Sequence, residues 1–431
     1  MKKKLFSILF NVLFIFFCLY NNDFCALKVG CAKVNITPPV GIWLSGYDSR
    51  NKPSDNIADD LYAKVLILND EKTTIVIVST DLLWVPSEIT NQIRQNVKEK
   101  MGIPEKNILI CSTHTHFGPK IFTKELIGSK APASEIDKSY VQTLIKKITG
   151  SIFIAYNNLR EAKLGAIKGE IPEIIYNRRT KKSDGSLVMT YALPSKEPDL
   201  TFGPIDPELC VIRVEDTNGE IVASIVNFAC HPVSGSTYSD WFYSISADYP
   251  KYAMDVVEQM EGGICLFTLG TAGDMVPIER GKKPRMQIGK AIGGEALRKL
   301  QRVPTYSDVI LKSLVKTINL PIKKDLSNDR IIDVDKTKNY LITEIQILKI
   351  GDIYILGLPG EILVEIGLEI KKRAGIEKLF IFSLSNDAIG YVCHNTAYDE
   401  GGYEPTNGTN LAQGAGEIMI EESLNILKEI Q

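Results

Sequence analysis

Histidine is scarce in this chain, and its placement is uneven: of four histidines, two stand together as His114-Thr115-His116. They follow the apolar run Asn107-Ile108-Leu109-Ile110 and precede Phe117-Gly118-Pro119. The run reads as a buried strand, and the Gly-Pro pair breaks it and turns the chain. On an extended backbone, residues two apart face the same way. Both imidazoles are therefore expected to look into one pocket at a strand's end. Such a pair is a common zinc donor set. The alternative is two hydrogen-bonded polar histidines in a loop.

The same layout recurs twice. Ile221 to Cys230 is apolar and delivers His231-Pro232. Ile353 to Leu358 is apolar and runs into Pro359-Gly360-Glu361. Glu361 reads either as an acid favoured by a helix dipole or as a carboxylate aimed from a strand end. Two histidines and a carboxylate form a catalytic zinc set with open positions for water and substrate. Zinc lowers the pKa of its water and polarises a carbonyl. His116 reads as a proton shuttle or oxyanion partner beside that set. His394 is a rival ligand, in a polar loop that no strand aims. Asn177-Arg178-Arg179 lies in a polar stretch, where a solvated face is the favoured reading.

These residues need a scaffold that puts strand ends together. Tyr62–Leu68 and Thr74–Val78 predict a hairpin, and 87–101 a helix leading into the strand before His114. Helical stretches are expected near 135–159 and 286–302, with a closing helix from about 412. Strands are expected at 163–169, 209–215, 221–230, 263–268, 309–318, 340–358 and 379–384. The fold class is α/β: a single large mixed α/β catalytic domain with the metal site at strand ends, where open sheets place their sites. Residues 120–135 read as a loop or lid. Neither a GxGxxG fingerprint nor a P-loop occurs.

Composition is globular, with 44% hydrophobic and 24% charged residues over 431 positions and a net charge of -2. No basic stripe is present, so nucleic acid is not an expected partner. Lys2, Lys3 and Lys4 precede an apolar run from Leu5 to Tyr20. As a helix that run spans roughly 24 Å, short of a ~30 Å hydrocarbon core. It reads as a secretory signal peptide over 1–26, with an exported catalytic domain over 27–431. Asp23 and Phe24 before Cys25 disfavour a lipoprotein. Eight cysteines are scattered without a Cys-x-x-Cys pair. Cys111, Cys210, Cys230 and Cys265 lie in strand-like runs and read as buried thiols.

Taken together, the motifs resemble the neutral (non-lysosomal) ceramidases. Thr113-His114-Thr115-His116 with Gly118-Pro119 is similar to the family's His-Thr-His-Ser-Gly-Pro. Asn227-Phe228-Ala229-Cys230-His231-Pro232 resembles its second histidine motif, and Leu358-Pro359-Gly360-Glu361 its Pro-Gly-Glu. Asn177-Arg178 resembles its Asn-Arg. Asn386 to Tyr391, with Val392 and the later Tyr403-Glu404, is similar to its Gly-Tyr-Val-Thr-Thr segment and Tyr-Glu. The resemblance implies zinc held by His114, His231, Glu361 and Tyr391. It implies His116 as general acid/base, with Tyr403 and Arg178 holding and polarising an amide carbonyl. The sequence departs from the family in Gly273-Asp274-Met275-Val276-Pro277-Ile278, where Val276 replaces a serine proposed as a nucleophile. Phe117 likewise replaces a serine. The resemblance is expected to cover the catalytic domain alone, without the family's C-terminal immunoglobulin-like domain.

The expected function is an exported zinc-dependent amidohydrolase of lipid metabolism, cleaving an N-acyl amide such as a ceramide-like sphingolipid by metal-activated water. Its partner would be an amide-containing lipid or another small acylated amine, with peripheral contact to membrane lipid as a further reading. The alternatives are a hydrolase of a different amide or ester, and a non-catalytic secreted ligand-binding protein that has kept the fold.

Overall fold

The computed structural model describes residues 26–122, 136–193, 199–235, 239–324 and 338–431. The expected signal segment, residue 26 aside, and all but the start of the expected lid lie outside the described residues. The chain folds as four layers, helix, sheet, sheet and helix, each boundary a continuous apolar cluster.

The larger sheet is built from β1 (Lys28–Asn35), β2 (Tyr62–Asn69), β3 (Thr74–Thr80), β4 (Ile108–Ser112), β5 (Arg160–Glu170), β6 (Glu208–Asp216), β7 (Ile221–Phe228) and β8 (Ile264–Leu269). Its order is β8-β7-β6-β5-β1-β2-β3-β4. The middle pairs are antiparallel, and each edge is closed by a parallel pair, β3 with β4 and β7 with β8. Helix α1 (Ser87–Met101) makes the first crossover. Its buried Ile89, Ile93 and Val97 recur every fourth residue and so form one face. Gly102 ends it in the left-handed conformation, at φ 71°. Helix α2 (Lys138–Asn157) starts on Asp137, whose carboxylate accepts from the amides of Ser139 and Tyr140. Helix α3 (Asp248–Glu261) makes the second crossover, and α4 (Lys282–Leu300) packs beside it.

The sheet curls, so its far edge meets its middle. Lys64 on β2 donates to the Cys265 carbonyl on β8 at 2.8 Å and pairs with Glu258 of α3 at 2.6 Å. Ser79 on β3 donates to the Phe267 carbonyl. This closure brings the carboxyl ends of β4 and β7 to one side of the molecule.

The second sheet runs β9 (Leu311–Pro321), β10 (Tyr340–Ile350), β11 (Ile353–Gly357) and β12 (Leu379–Phe382) in that order. Helix α5 (Val364–Ala374) is the crossover between the parallel β11 and β12, and α6 (Ala415–Ile430) covers the sheet beside it. Leu66, Ile77, Leu109, Ile212, Leu266, Ile355 and Phe380 form the layer between the two sheets. Each fully buried aliphatic side chain there contributes roughly 1.5–3 kcal/mol of transfer free energy. Three parallel crossovers thus point their strand ends to one place.

Two glycines let the loops meet there. A Cβ on Gly273, after β8, would lie 2.9 Å from the backbone of Ile362. Gly360 has φ +83°, and a Cβ there would lie 2.5 Å from the Gly390 carbonyl. Both contacts are to backbone, which cannot swing aside. Gly273→Ala is therefore expected to cost about 1–3 kcal/mol through overpacking, measured as a lower thermal midpoint. An unchanged midpoint would contradict this packing.

Candidate metal centre

His114 lies two residues beyond β4, His231 three beyond β7, and Glu361 four beyond β11. His114 does not reach the site by strand alternation. The strand ends at Ser112, and His114 has φ 70°, a left-handed conformation uncommon outside glycine. The two imidazoles converge because the backbone turns at His114, which corrects the expectation from His-x-His spacing. Glu361 is likewise not the first turn of a helix. Glu361–Ile362 is a two-residue strand, parallel to Tyr391–Val392, with Glu361 opposite Tyr391. Helix α5 begins only at Val364. The pairing itself sets the tyrosine beside the carboxylate.

Each imidazole gives its Nδ1 to a backbone carbonyl: His114 to Leu83 at 2.9 Å, His231 to Ala272 at 2.5 Å, and His116 to Gly46 at 2.9 Å. A carbonyl oxygen only accepts, so Nδ1 carries the proton. A neutral ring then presents a lone pair at Nε2. The His114 Nε2 lies 3.0 Å from that of His231, 3.3 Å from that of His116 and 3.1 Å from Glu361 Oε2. His231 Nε2 lies 3.0 Å from the same carboxylate oxygen. Burial, then neighbouring charge, lowers the His231 pKa to about 4, and burial lowers that of His116 well below its usual value. Burial would raise Glu361, but positive charge and hydrogen bonds from the His114 and His231 side, where a proton or a cation sits between the groups, outweigh it and hold the carboxyl well below the usual range.

Lone pairs aimed at one another at these distances repel unless a cation lies between them. Zinc bonds of about 2.0–2.1 Å in a tetrahedral set place donors about 3.3 Å apart. The observed separations fit that ion. Donor atoms of His114, His116 and His231 all lie within 4.8 Å of one another, so His116 is in ligand range as well. The sequence reading kept it outside the set. His114 and His231 are buried, whereas His116 approaches from the more open side. Tyr391 is buried at Glu361; burial and that carboxylate raise its phenol well above the ordinary value. Its oxygen meets the site as a phenol unless a cation offsets both effects. His394 is not brought to the centre. It lies 3.5 Å from Glu365 and hydrogen bonds with Thr396 at 2.6 Å.

Arg178 and Arg179 form no solvated face. Arg178 is 5% exposed and Arg179 4% exposed. Both are held by Glu404, which is fully buried: Arg178 Nε at 2.8 Å and Arg179 Nη1 at 2.9 Å. Arg178 Nη2 also donates to the Tyr391 hydroxyl at 3.1 Å. Arg179 also pairs with Glu400 at 3.1 Å, so two carboxylates face the two guanidinium groups, and balanced charges can be buried where a lone one cannot. The Tyr403 ring stands 5.7 Å from that of Tyr391 and 5.9 Å from the Arg178 guanidinium. The sequence resemblance gives a functional role to Tyr403 and none to its neighbour Glu404, whose part is to balance the buried arginines. The carbonyls of Leu83, Ala272 and Gly46 have no sequence signature. Val276 is buried against Tyr176 and Val233, and Phe117 is buried and stacked on Trp241 at 4.4 Å. Among the described residues all six cysteines are free.

Fold and site together define a four-layer α/β protein with a metal-fitting centre at the carboxyl ends of its parallel strands. Residues 27–278 match the family model described as neutral/alkaline non-lysosomal ceramidase, N-terminal, and the chain belongs to that family. Neutral ceramidase A of Dictyostelium discoideum is 25% identical over 284 residues, 62% of this chain and 38% of its own length. Neutral ceramidase of Pseudomonas aeruginosa is 24% identical over 258 residues, 58% of this chain and 37% of its own. The matches thus span well under half of these relatives. The crystal structure of neutral ceramidase from Pseudomonas aeruginosa shares the fold, with a TM-score of 0.74, 19% identity and coverage of 94% of this chain and 75% of that one. Glu361, Tyr391 and Tyr403 lie beyond the segment that the family model matches.

Removing the Glu404 carboxylate would leave Arg178 buried without its anion and Arg179 with Glu400 alone. Glu404→Ala is expected to lose about 3–5 kcal/mol of stability, read from denaturant midpoints. A loss under 1 kcal/mol, on the scale of exposed pairs, would show the network to be solvated. Asp274 supplies a pH test. It is fully buried and accepts from Asn177 Nδ2 at 2.8 Å and the Val364 amide at 2.9 Å. Burial, then the Glu365 charge, pushes its pKa up to about 7. The unfolded carboxyl titrates near ~3.9, so the native state binds the extra proton between the two values. Its contribution is greatest below about 4 and is lost as pH rises through about 7. Asp274→Asn is expected to flatten that decline in urea titrations; an unchanged slope would assign it elsewhere.

Proposed function

We propose that this chain is a zinc-dependent hydrolase of N-acyl amides, with a ceramide-like lipid as the leading substrate class. The observation that carries this reading is the convergence of His114 Nε2, His231 Nε2 and the Glu361 carboxylate within 3.0–3.1 Å of one another, in a family whose relatives are named neutral ceramidases. His114, His231 and Glu361 would hold the metal, with Tyr391 beside Glu361 as a further donor. Zinc supplies Lewis acidity and a nucleophile at neutral pH.

The chain's own residues do the rest. His116, its Nδ1 proton committed to Gly46, has Nε2 available to take a proton from the attacking water and return it to the leaving amine. Burial, then the Glu361 charge, raises the Tyr403 phenol, so it remains a donor at neutral pH. It and Arg178 would hold the amide carbonyl as negative charge develops there; one such donor is worth roughly 3–4 kcal/mol. Val276 has no hydroxyl, which favours direct attack by water over an acyl-enzyme at that position. We further propose that residues 1–26 direct export of the domain at 27–431, on the basic-then-apolar sequence pattern.

Elemental analysis of purified protein, run beside a short-chain fluorescent ceramide assay with and without chelator, tests the reading. About one zinc per chain and chelator-sensitive release of fatty acid is the expected result. Zinc without ceramide cleavage would move the search to other amides or esters. Failure to bind zinc even when it is supplied would favour a binding protein that has kept the fold. His231→Ala is expected to lose zinc and activity together. His116→Ala is expected to keep zinc while turnover falls by about 10²–10⁴-fold; loss of zinc there would make His116 a ligand.

A further inference from the structure

Three arginines stand around this site, and they are met differently: Arg50 is buried and donates to the carbonyls of Phe242 and Ser45. Arg178 is paired with Glu404. Arg280 has a buried Nε without a hydrogen-bond partner, and among the described residues no carboxylate stands within ion-pair distance of it. A guanidinium half withdrawn from water costs free energy unless an anion meets it.

Its position is built in. The short strand Met275–Pro277 pairs with Ile175–Asn177. The His231 amide donates to the Met275 carbonyl, and the Arg178 amide to the Asp274 carbonyl, both at 2.9 Å. The segment leading to Arg280 is thus tied to both sides of the metal centre. The Gly281 amide then donates to Ser234, in the loop after His231, at 2.6 Å. The Arg280 charge acts on the phenols of Tyr47, Tyr176 and Tyr191. Tyr47 lies edge-on to His116, centroids 5.2 Å apart, and Arg178 stands 5.8 Å from the Tyr191 ring. The backbone ties thus hold Arg280 on a segment anchored to the loop after His231 on one side and, through Met275–Pro277, to the strand before Arg178 on the other.

Nearby acids are already engaged. Asp248 accepts from Ser234 and the Tyr249 amide, and Glu404 holds the two other arginines. Glu279 is exposed and unpaired with Arg280. Lys282 and Lys283 are exposed at the start of α4, which has no side-chain cap. The helix dipole adds positive potential at that end. Val276 and Ile278, on the segment before Arg280, belong to one apolar cluster with Val233.

We propose that Arg280 recognises an anionic group on the substrate, so that the preferred amide carries a carboxylate or phosphate close to its scissile bond. This rests on the amide-hydrolase reading for the identity of the bond, but not for the anion contact. The carboxylate source is an N-acyl amino acid, and the phosphate source a lipid amide phosphorylated on its amine portion.

Binding to the zinc-loaded His116→Ala full chain, which slows turnover, is measured by calorimetry with N-lauroylglycine, the neutral N-lauroylethanolamine and a short-chain ceramide phosphate. One charge-assisted contact predicts about ten- to hundredfold tighter binding of an anionic amide. Adding Arg280→Gln is expected to erase that advantage and leave the ethanolamide unchanged, while Arg280→Lys keeps part of it. Tighter binding of the phosphate or of the glycine amide supports the inference and says which source applies. Equal binding of charged and neutral amides, or an advantage that survives Arg280→Gln, overturns it. Wild-type assays with the same compounds separate the two ideas. Anion-dependent binding with no amide cleaved keeps Arg280 and sinks the hydrolase. Cleavage of the neutral amide without an anion preference keeps the hydrolase and sinks the role of Arg280.

Discussion

Three imidazoles and a carboxylate are held with their Nε2 and Oε2 atoms facing one another in a buried space, and with neutral rings that arrangement is unfavourable on its own. Each Nδ1 is committed to a carbonyl, so none of the rings can turn to relieve the repulsion without breaking a hydrogen bond. His114 adds a left-handed backbone, a strain of about 1–3 kcal/mol in general. The curled sheet, the three crossovers and the close backbone approach at Gly273 all bear on this one point. A cation there converts mutual repulsion into mutual attraction, and the protein gains what the empty arrangement costs.

Charge balance around the centre follows the same logic. Glu404 is buried between Arg178 and Arg179, and Arg178 in turn fixes the Tyr391 hydroxyl. The tyrosine beside Glu361 is thereby oriented from behind by a cation, while the carboxylate side remains anionic. Asp274 ties the strand before Arg178 to the start of α5, accepting from Asn177 and the Val364 amide. Side chains one layer out therefore decide the direction of those one layer in.

The family relationship covers residues 27–278, which carry the large sheet, His114 and His231. Val276 and Phe117 are both fully buried where the family pattern has hydroxyls. Phe117 is packed between Trp241 and the Arg50 guanidinium, 5.0 Å away. The result is an apolar wall beside the donor atoms, with the guanidinium groups of Arg50 and Arg280 near it unpaired with any carboxylate among the described residues.

Much of this was legible in the sequence. The extent of α1, the hairpin of β2 and β3, and the apolar strands before His114, His231 and Glu361 all follow from periodicity and turn residues, which act over a few positions. The motif resemblance brought in Tyr391, which spacing did not suggest. Tertiary structure decided the rest. His114 meets His231 across 117 residues and Glu361 across 247, and no local pattern encodes such a meeting. The turn at His114, the strand at Glu361 and the exclusion of His394 depend on which loops pack together. The burial of Arg178 and Arg179 depends on Glu404 arriving from more than two hundred residues away. Sequence by itself determined which side chains could hold a metal. Only the folded chain decided which of them share one small, dry volume, because burial and charge compensation are properties of neighbours in space.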